Sequence, residues 1–336
     1  MKVNIKQISE ATGFSQATVS NALNAKRGVN AETATLILRT AKQMGYFGEE
    51  MTEKIRFVIF TRNGIVETNT YFPTVIAGVE RACRECNMEV VLTNLDRRSR
   101  DYEEKVRQLH SDPGAAVIIL GTEMQDEDLG LIQGFHVPVV VVDYWNRKML
   151  FNAVVINNED SVRWAVEYLL EMGHRKIGYL KGNQRLVPFQ ERERGFRAAM
   201  QEYGLELQEK WVVPLRMEEG AESADGIYRD MKRYLENTTE LPTVFFAEDD
   251  TIALAALKAL LEHGVKVPEE VSLLGFDDIA FSSLATPALT TFHVPKQEIG
   301  GAAVYRALEM MKGKSDAAYK IQVCTHLVER ESVRRL

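Results

Sequence analysis

From Ile55 onward the chain alternates short, almost wholly apolar runs with stretches that have the periodicity of amphipathic helices. The runs are IRFVIF, EVVLTN, AAVIIL, PVVVVD and AVVIN in the first part of this region, and KIGYL, TVFFA and VSLLGF in the second. Strands that are apolar on both sides belong in parallel sheets covered by helices on both faces. Two successive doubly wound parallel-sheet halves with a cleft between them suit the length better than one large sheet. Ligands of such sheets sit at the carboxyl ends of the strands. The residues just past those ends are Tyr71 and Phe72, Asp143, Asn157 and Asn158, Asp249 with Asp250, and Asp277 with Asp278. Carboxylates, amides and flat rings together suit a polyhydroxylated or heterocyclic small molecule. Each also has a plain structural use. Acidic residues after strands cap helices, the role expected of Asp160 and Asp250, and Tyr71 and Phe72 could be core.

The first fifty residues follow a different rule and read as three short helices. Asn4, with Gln7 three places on, caps the first; Ser15 caps the second; Asn30 caps the third, which stops at Gly45, and Gly13 makes the first turn. Ile5, Ile8, Val19, Leu23, Val29, Ile37, Ala41 and Met44 supply a small core. In the second helix, SQATVSNALN, Val19 and Leu23 lie four apart and face inward, so Gln16, Ala17, Ser20, Asn21 and Asn24 face out. Solvated helix faces usually carry Lys and Glu, whereas Ser and Asn disfavour helix. Their short donors and acceptors suit base edges in a major groove, adenine above all, and the pattern predicts a helix-turn-helix. Charge agrees. Before Glu49, Lys2, Lys6, Lys26, Arg27, Arg39 and Lys42 oppose only Glu10 and Glu32, although the whole chain of 336 residues carries a net charge of -7.

Several function classes find no support. No run of eighteen apolar residues occurs and MKVNIKQISEATG lacks the apolar core of a signal peptide, so a cytoplasmic protein with no membrane partner is expected. The 3 cysteines, Cys83, Cys86 and Cys324, are too few for a disulfide framework or a thiolate zinc site. Cys83 and Cys86 read as ordinary positions of the helix TVIAGVERACREC. His174 lies between a helix end and a strand, where a histidine caps carbonyls as often as it catalyses. There is no G-x-G-x-x-G after a strand, no Walker loop, no G-x-S-x-G and no H-E-x-x-H, so no enzyme, cofactor or metal is expected.

Over essentially its whole length the chain resembles the LacI/GalR family of bacterial transcriptional repressors. IKQISEATGFSQATVSNALN is similar to the family's helix-turn-helix signature, and GHRKIGYLKG, RERGFRAAM, VPEEVSLLGFDD and TPALTTFHVP are similar to its core motifs, in order. The resemblance implies a DNA-binding headpiece, 1–47, and a periplasmic-binding-protein-like core, 55–336. The core's subdomains exchange strands, one covering about 55–158 and 292–318, the other 159–291 and 319–336. It further implies a homodimer on a pseudo-palindromic operator, controlled by a small effector, a sugar or a purine, in the cleft.

Gln16, Ala17 and Asn21 match the family's base-reading positions, with Thr18 and Ser20 as neighbours able to reach phosphates; Ser15 and Asn24 complete the expected DNA-facing set. In the cleft, Tyr71 and Phe72 match a ring-stacking pair, Arg192 the effector-binding arginine, and Asp277 the carboxylate that holds ligand hydroxyls or ring nitrogens; Asp143 joins them by its strand-end position. The chain departs from the family in four places. Asp249 stands where many members have asparagine, and Asn21 where arginine is common, which moves the expected base from guanine toward adenine. The aromatic often found before the third helix of the second subdomain is absent from RMEEGAESADG. The joint 48–54 is short and acidic, with Glu49, Glu50 and Glu53, and lacks the P-N-x-x-A-R-x-L hinge helix; Met51 is its one apolar wedge candidate. A sugar is the expected effector. A cleft enzyme using Asp249 or Asp277 as base, or a sugar receptor with a degenerate headpiece, is the alternative.

Overall fold

Local chemistry accounts for the first helices. In the computed structural model, which describes residues 3–23, 29–44, 46, 54–64, 66, 71–111, 115–148, 151–217, 223–313 and 317–336, α1 (Ile5–Thr12) opens on a reciprocal capping box. The Gln7 amide donates to Asn4 Oδ1 at 3.0 Å and the Asn4 amide to Gln7 Oε1 at 3.0 Å. Gly13, at φ 74°, ends it in the left-handed region that glycine enters without strain. Ser15 Oγ accepts from the Thr18 amide at 3.1 Å to start α2 (Gln16–Leu23), and Asn30 Oδ1 accepts from the Thr33 amide at 2.8 Å to start α3 (Ala31–Gln43). Ile8, Val19, Ile37 and Ala41 are wholly buried between the three helices, joined by Ala22 and Ala34. Gly45, Phe47 and most of the joint, 48–53, with Glu49, Glu50, Met51 and Glu53, lie outside the described residues.

All eight apolar runs are strands: β1 (Lys54–Thr61), β2 (Glu89–Asp96), β3 (Ala115–Leu120), β4 (Val139–Val142), β5 (Asn152–Ile156), β6 (Ile177–Gly182), β8 (Val244–Ala247) and β9 (Ser272–Asp277). Every residue of β4, β5, β8 and β9 is buried, as near-continuous apolar strands require. Four more strands complete the sheets: β7 (Val212–Leu215), β10 (Thr290–His293), β11 (Lys320–Val323) and β12 (His326–Val328). The first sheet runs β11-β5-β4-β3-β1-β2, parallel throughout; the second runs β12-β10-β9-β8-β6-β7, parallel except that β12 is antiparallel to β10. Helices cover both sheets. α4 (Tyr71–Glu85), α5 (Tyr102–Ser111), α6 (Leu129–Gln133) and α11 (Lys296–Met311) go with the first, and α7 (Asn158–Glu171), α8 (Val187–Glu202), α9 (Ser223–Asn237) and α10 (Asp250–Glu262) with the second.

Two helix contacts depend on glycine. A Cβ on Gly78 of α4 would stand 2.2 Å from the Gln297 carbonyl of α11, and one on Gly300 of α11 would stand 2.3 Å from the Val75 carbonyl of α4. Backbone therefore meets backbone where these helices cross.

The chain passes between the sheets three times, and two crossings fall later than expected. Phe292 and His293 belong to β10, paired with β9 in the second sheet, so the return falls at 294–295 rather than at 292. β11 pairs with β5 in the first sheet, Lys320 opposite Ala153 and Val323 opposite Ile156, so 320–323 belong with the first subdomain. The free edge of β5 takes up that strand before the chain returns to β12. No helix among the described residues is long and apolar enough to cross a membrane.

Candidate functional site: an acidic cleft between the two sheets

The six residues expected to contact a ligand, Tyr71, Phe72, Asp143, Arg192, Asp249 and Asp277, line one cleft, together with Thr122, Ile156, Leu186, Pro188 and Phe189. Each arrives there for a topological reason. Thr122, Asp143 and Ile156 lie at the carboxyl ends of β3, β4 and β5, and Tyr71 and Phe72 open α4; Asp249 and Asp277 stand at the ends of β8 and β9, and Arg192 lies on α8. The two walls thus come from the two sheets, as the rule for ligands of doubly wound folds requires.

Arg192 organises the floor. Its side chain is 3% exposed; Nε donates to Asn158 Oδ1 at 3.0 Å, Nη2 to Asp277 Oδ1 at 3.1 Å, and Nη1 to the Glu248 carbonyl. The guanidinium lies 3.8 Å from the centre of the Phe276 ring. Asn158, expected at the cleft, instead holds the arginine from behind and donates to Glu191 Oε2 at 2.9 Å.

The carboxylates are held in place by strained or capped backbone. Asp143 and Asp277 have φ of 64° and 107°, the region that aspartate tolerates better than most side chains. Asp143 Oδ2 accepts from Thr122 Oγ1 at 2.8 Å, whereas its buried Oδ1 has no hydrogen-bond partner among the described residues. Asp249 caps α10, its Oδ1 accepting from the Ile252 amide at 2.7 Å. Burial pushes both acids up to about 7, with the Asp277 charge adding to the effect and Arg192 opposing it. Burial raises Asp277 as well, against the pull of Arg192 and Lys296.

Two expected roles, those of Asp250 and Asp160, need correction, whereas His174 and Cys83 do structural work. The cap of α10 is Asp249, not Asp250. Asp250 is wholly buried and accepts from Ser282 Oγ at 2.6 Å, Thr291 Oγ1 at 2.6 Å and the Ile279 amide at 3.1 Å, so it ties β10 to the turn after β9. Gly275 makes room for it, since a Cβ there would stand 2.1 Å from Asp250 Oδ1. Asp160 does not cap α7; it accepts from Asn157 Nδ2 at 2.9 Å. His174, wholly buried, lies 2.9 Å from Thr243 Oγ1 and 3.0 Å from the Arg334 carbonyl, a packing role. Cys83 is buried on α4, and burial pushes its thiol up to about 11, away from thiolate chemistry.

Sequence reasoning missed five lining residues. Thr122 lies two past the end of β3 and the strand-end rule could have found it. Leu186, Pro188 and Phe189 sit at the start of α8, where no strand end points to them.

On α2, Ser15, Gln16 and Ala17 are exposed and Thr18, Ser20 and Asn21 are half-buried. Ser15 Oγ and Thr18 Oγ1 also share a 2.8 Å hydrogen bond, so both take part in the cap. Asn24 lies outside the described residues, as do 218–222 of the stretch RMEEGAESADG.

Residues 166–333 match the model of the periplasmic binding protein-like domain. The chain is 30% identical over 339 residues to the HTH-type transcriptional repressor PurR of Haemophilus influenzae (strain PittEE), covering 99% of both chains. It is 30% identical over 337 residues to PurR of Klebsiella pneumoniae subsp. pneumoniae, covering 98% of this chain and 96% of the relative. Among solved structures, the transcriptional regulator CelR in complex with cellobiose superposes with a TM-score of 0.74 at 25% identity, over 98% of this chain and 100% of that one. The lac repressor dimer bound to operator and the anti-inducer ONPF superposes with a TM-score of 0.73 at 21% identity, over 99% and 100%, a likeness of fold.

A helix-turn-helix segment followed by a two-sheet core with a cleft between the sheets defines an effector-controlled transcriptional repressor. The chain belongs to the LacI family of transcriptional regulators. The relatives it matches are repressors, which answers the alternative of a cleft enzyme.

Proposed function

We propose that this repressor acts in the cytoplasm as a homodimer on a pseudo-palindromic operator, and that a sugar bound in the cleft sets its operator affinity. One observation carries the reading of the cleft. Six residues scattered between positions 71 and 277 converge on one cavity, and its polar lining is dominated by acceptors, which suits a ligand rich in hydroxyl donors. The rings of Tyr71, Phe72 and Phe189 supply apolar surface for a pyranose face. The cellobiose in the CelR structure supports the same class of ligand.

On the DNA side, the reading assigns Gln16, Ala17 and Asn21 to base edges, with adenine preferred opposite Asn21. It assigns Ser15, Thr18, Ser20 and Asn24 to the flanking contacts. It divides the chain into headpiece 1–47, joint 48–54 and core. The acidic joint lacks the hinge-helix motif, so the effector works by changing the separation of two headpieces, without a wedge in the minor groove. A thermal-shift screen of mono- and disaccharides tests the ligand class. A true effector at a hundred times its Kd adds about 2.7 kcal/mol of stability, and a screen in which no sugar shifts the protein removes the sugar from the proposal.

A further inference from the structure

The cleft holds more carboxylates than cations. Asp143, Asp249 and Asp277 line it with a single guanidinium, that of Arg192. All three nitrogens of that group already donate, to Asn158, to the Glu248 carbonyl and to Asp277. Lys296 lies close by, but its ammonium is turned to the backbone carbonyls of Asp277, Asp278 and Val294. Among the described residues, no basic side chain forms an ion pair with Asp143 or Asp249. Asp143 is 6% exposed, it lines the cavity, and its Oδ1 is buried without a partner. A desolvated carboxylate oxygen without a partner, on a residue that lines the cleft, marks a place where the ligand must bring a donor.

Charge narrows the donor further. A sugar acid or sugar phosphate would add negative charge to three acids faced only by Arg192 and, behind Asp277, Lys296. A neutral hydroxyl would satisfy Oδ1 and leave the charge imbalance as it was. A cation meets both needs. Resting on the reading of the cleft as the effector site, we propose that the effector is a polyhydroxylated molecule bearing a protonated amine, held by Asp143 on one wall and Asp249 on the other. Asp277, already paired with Arg192, is left for hydroxyls.

The empty cleft meets the imbalance in another way. Both acids are pushed up to about 7, so near neutral pH they are partly protonated. The charged groups acting on Asp143 are Arg192, Asp277 and Glu191, and those acting on Asp249 are Asp277, Arg192 and Asp250. An incoming ammonium favours the ionised form of both acids and releases protons.

Titration calorimetry of the full-length protein at pH 7 tests this with matched hexoses: glucose, glucosamine, N-acetylglucosamine and glucuronate, and their galactose and mannose counterparts. In the series that fits the cleft, the free amine binds about tenfold or more tighter than both its parent and its N-acetyl form. Its binding heat changes with the ionisation heat of the buffer because protons are released, a readout that needs no variant. Asp143→Asn and Asp249→Asn each shrink the ratio of amine to parent affinity. A parent hexose or an acid bound as tightly as the amine overturns the cation and leaves the cleft reading standing. An amine preference undiminished in both variants overturns the assignment of those acids. Failure of every hexose to bind overturns this proposal, while the sugar reading falls only if the screen of mono- and disaccharides is empty as well.

Discussion

Asp249 does two jobs at once, and they can be separated. Its Oδ1 caps α10 and its charge lies in a cleft already crowded with acid. Asparagine keeps the capping oxygen and removes the charge. Because the folded protein holds this acid at about 7, above its ordinary 3.8, the fold favours the protonated form. The stability it contributes is complete below about 3.8 and is lost as pH rises through 7. Asp249→Asn should therefore stabilise the ligand-free protein by about 1–2 kcal/mol at pH 8 and by much less at pH 5. Thermal unfolding at the two pH values measures it, and equal shifts at both would contradict the electrostatic origin. Arg192 is the opposite case. Its removal by Arg192→Ala leaves Asp277 buried without its partner, at a cost of about 3–5 kcal/mol in urea unfolding; a loss under about 1 kcal/mol would mean that the pair is not holding the floor. Much of this site was legible in the sequence because the strand-end rule is local: Asp143, Asp249 and Asp277 each follow an apolar run. Asn158 and Asp250 obey the same rule and do other work. Their roles depend on which side chains the fold brings opposite them, Arg192 for one and Ser282 with Thr291 for the other, and no spacing records that.

Elements were legible where apolar periodicity alone defines them. Every one of the eight apolar runs is a strand, and the caps at Asn4, Ser15 and Asn30 stand where the sequence put them. The four strands that went unread have other compositions. β7 carries Pro214 on a sheet edge, β11 alternates exposed and half-buried residues, and β10 and β12 are only four and three residues long. Such strands are made by the edge they pair with. The crossing of α4 and α11 is the element contact most open to test. Gly300→Ala puts a methyl carbon 2.3 Å from the Val75 carbonyl, so the helices must part, and the expected loss is about 2–3 kcal/mol in chemical denaturation. Because α4 begins with Tyr71 and Phe72, the same change should weaken effector binding. Unaltered stability would show that the crossing yields without cost. In the headpiece, Ser15→Ala removes the cap of α2 and should lower stability by about 1 kcal/mol as well as operator affinity.

Two sheets, three crossings and a cleft between them give the whole molecule a ready means of relative movement, since the crossings at 157, 294–295 and 324–325 are short. Asn63 Nδ2 donates to Gln184 Oε1 at 3.0 Å, a side-chain contact from the first subdomain to the second. A ligand that touches both walls favours the arrangement in which both can reach it, and only that difference in affinity can move the equilibrium. The family resemblance implied all three crossings but placed the last two a few residues early, because β11 is assigned to the first sheet only by the edge it finds on β5. The joint between headpiece and core is read from its residues alone. The measurement closest to the central claim is fluorescence anisotropy of an operator fragment, selected from random DNA with this protein, titrated with and without the effector for the wild type and for Asp277→Asn. The expected result is a change of about 5- to 150-fold in the wild-type operator affinity on adding effector, with the variant binding the operator normally and showing no change. An identical effector response in the variant, or a wild type that binds its cleft ligand and its operator independently, would contradict control of DNA binding from this site.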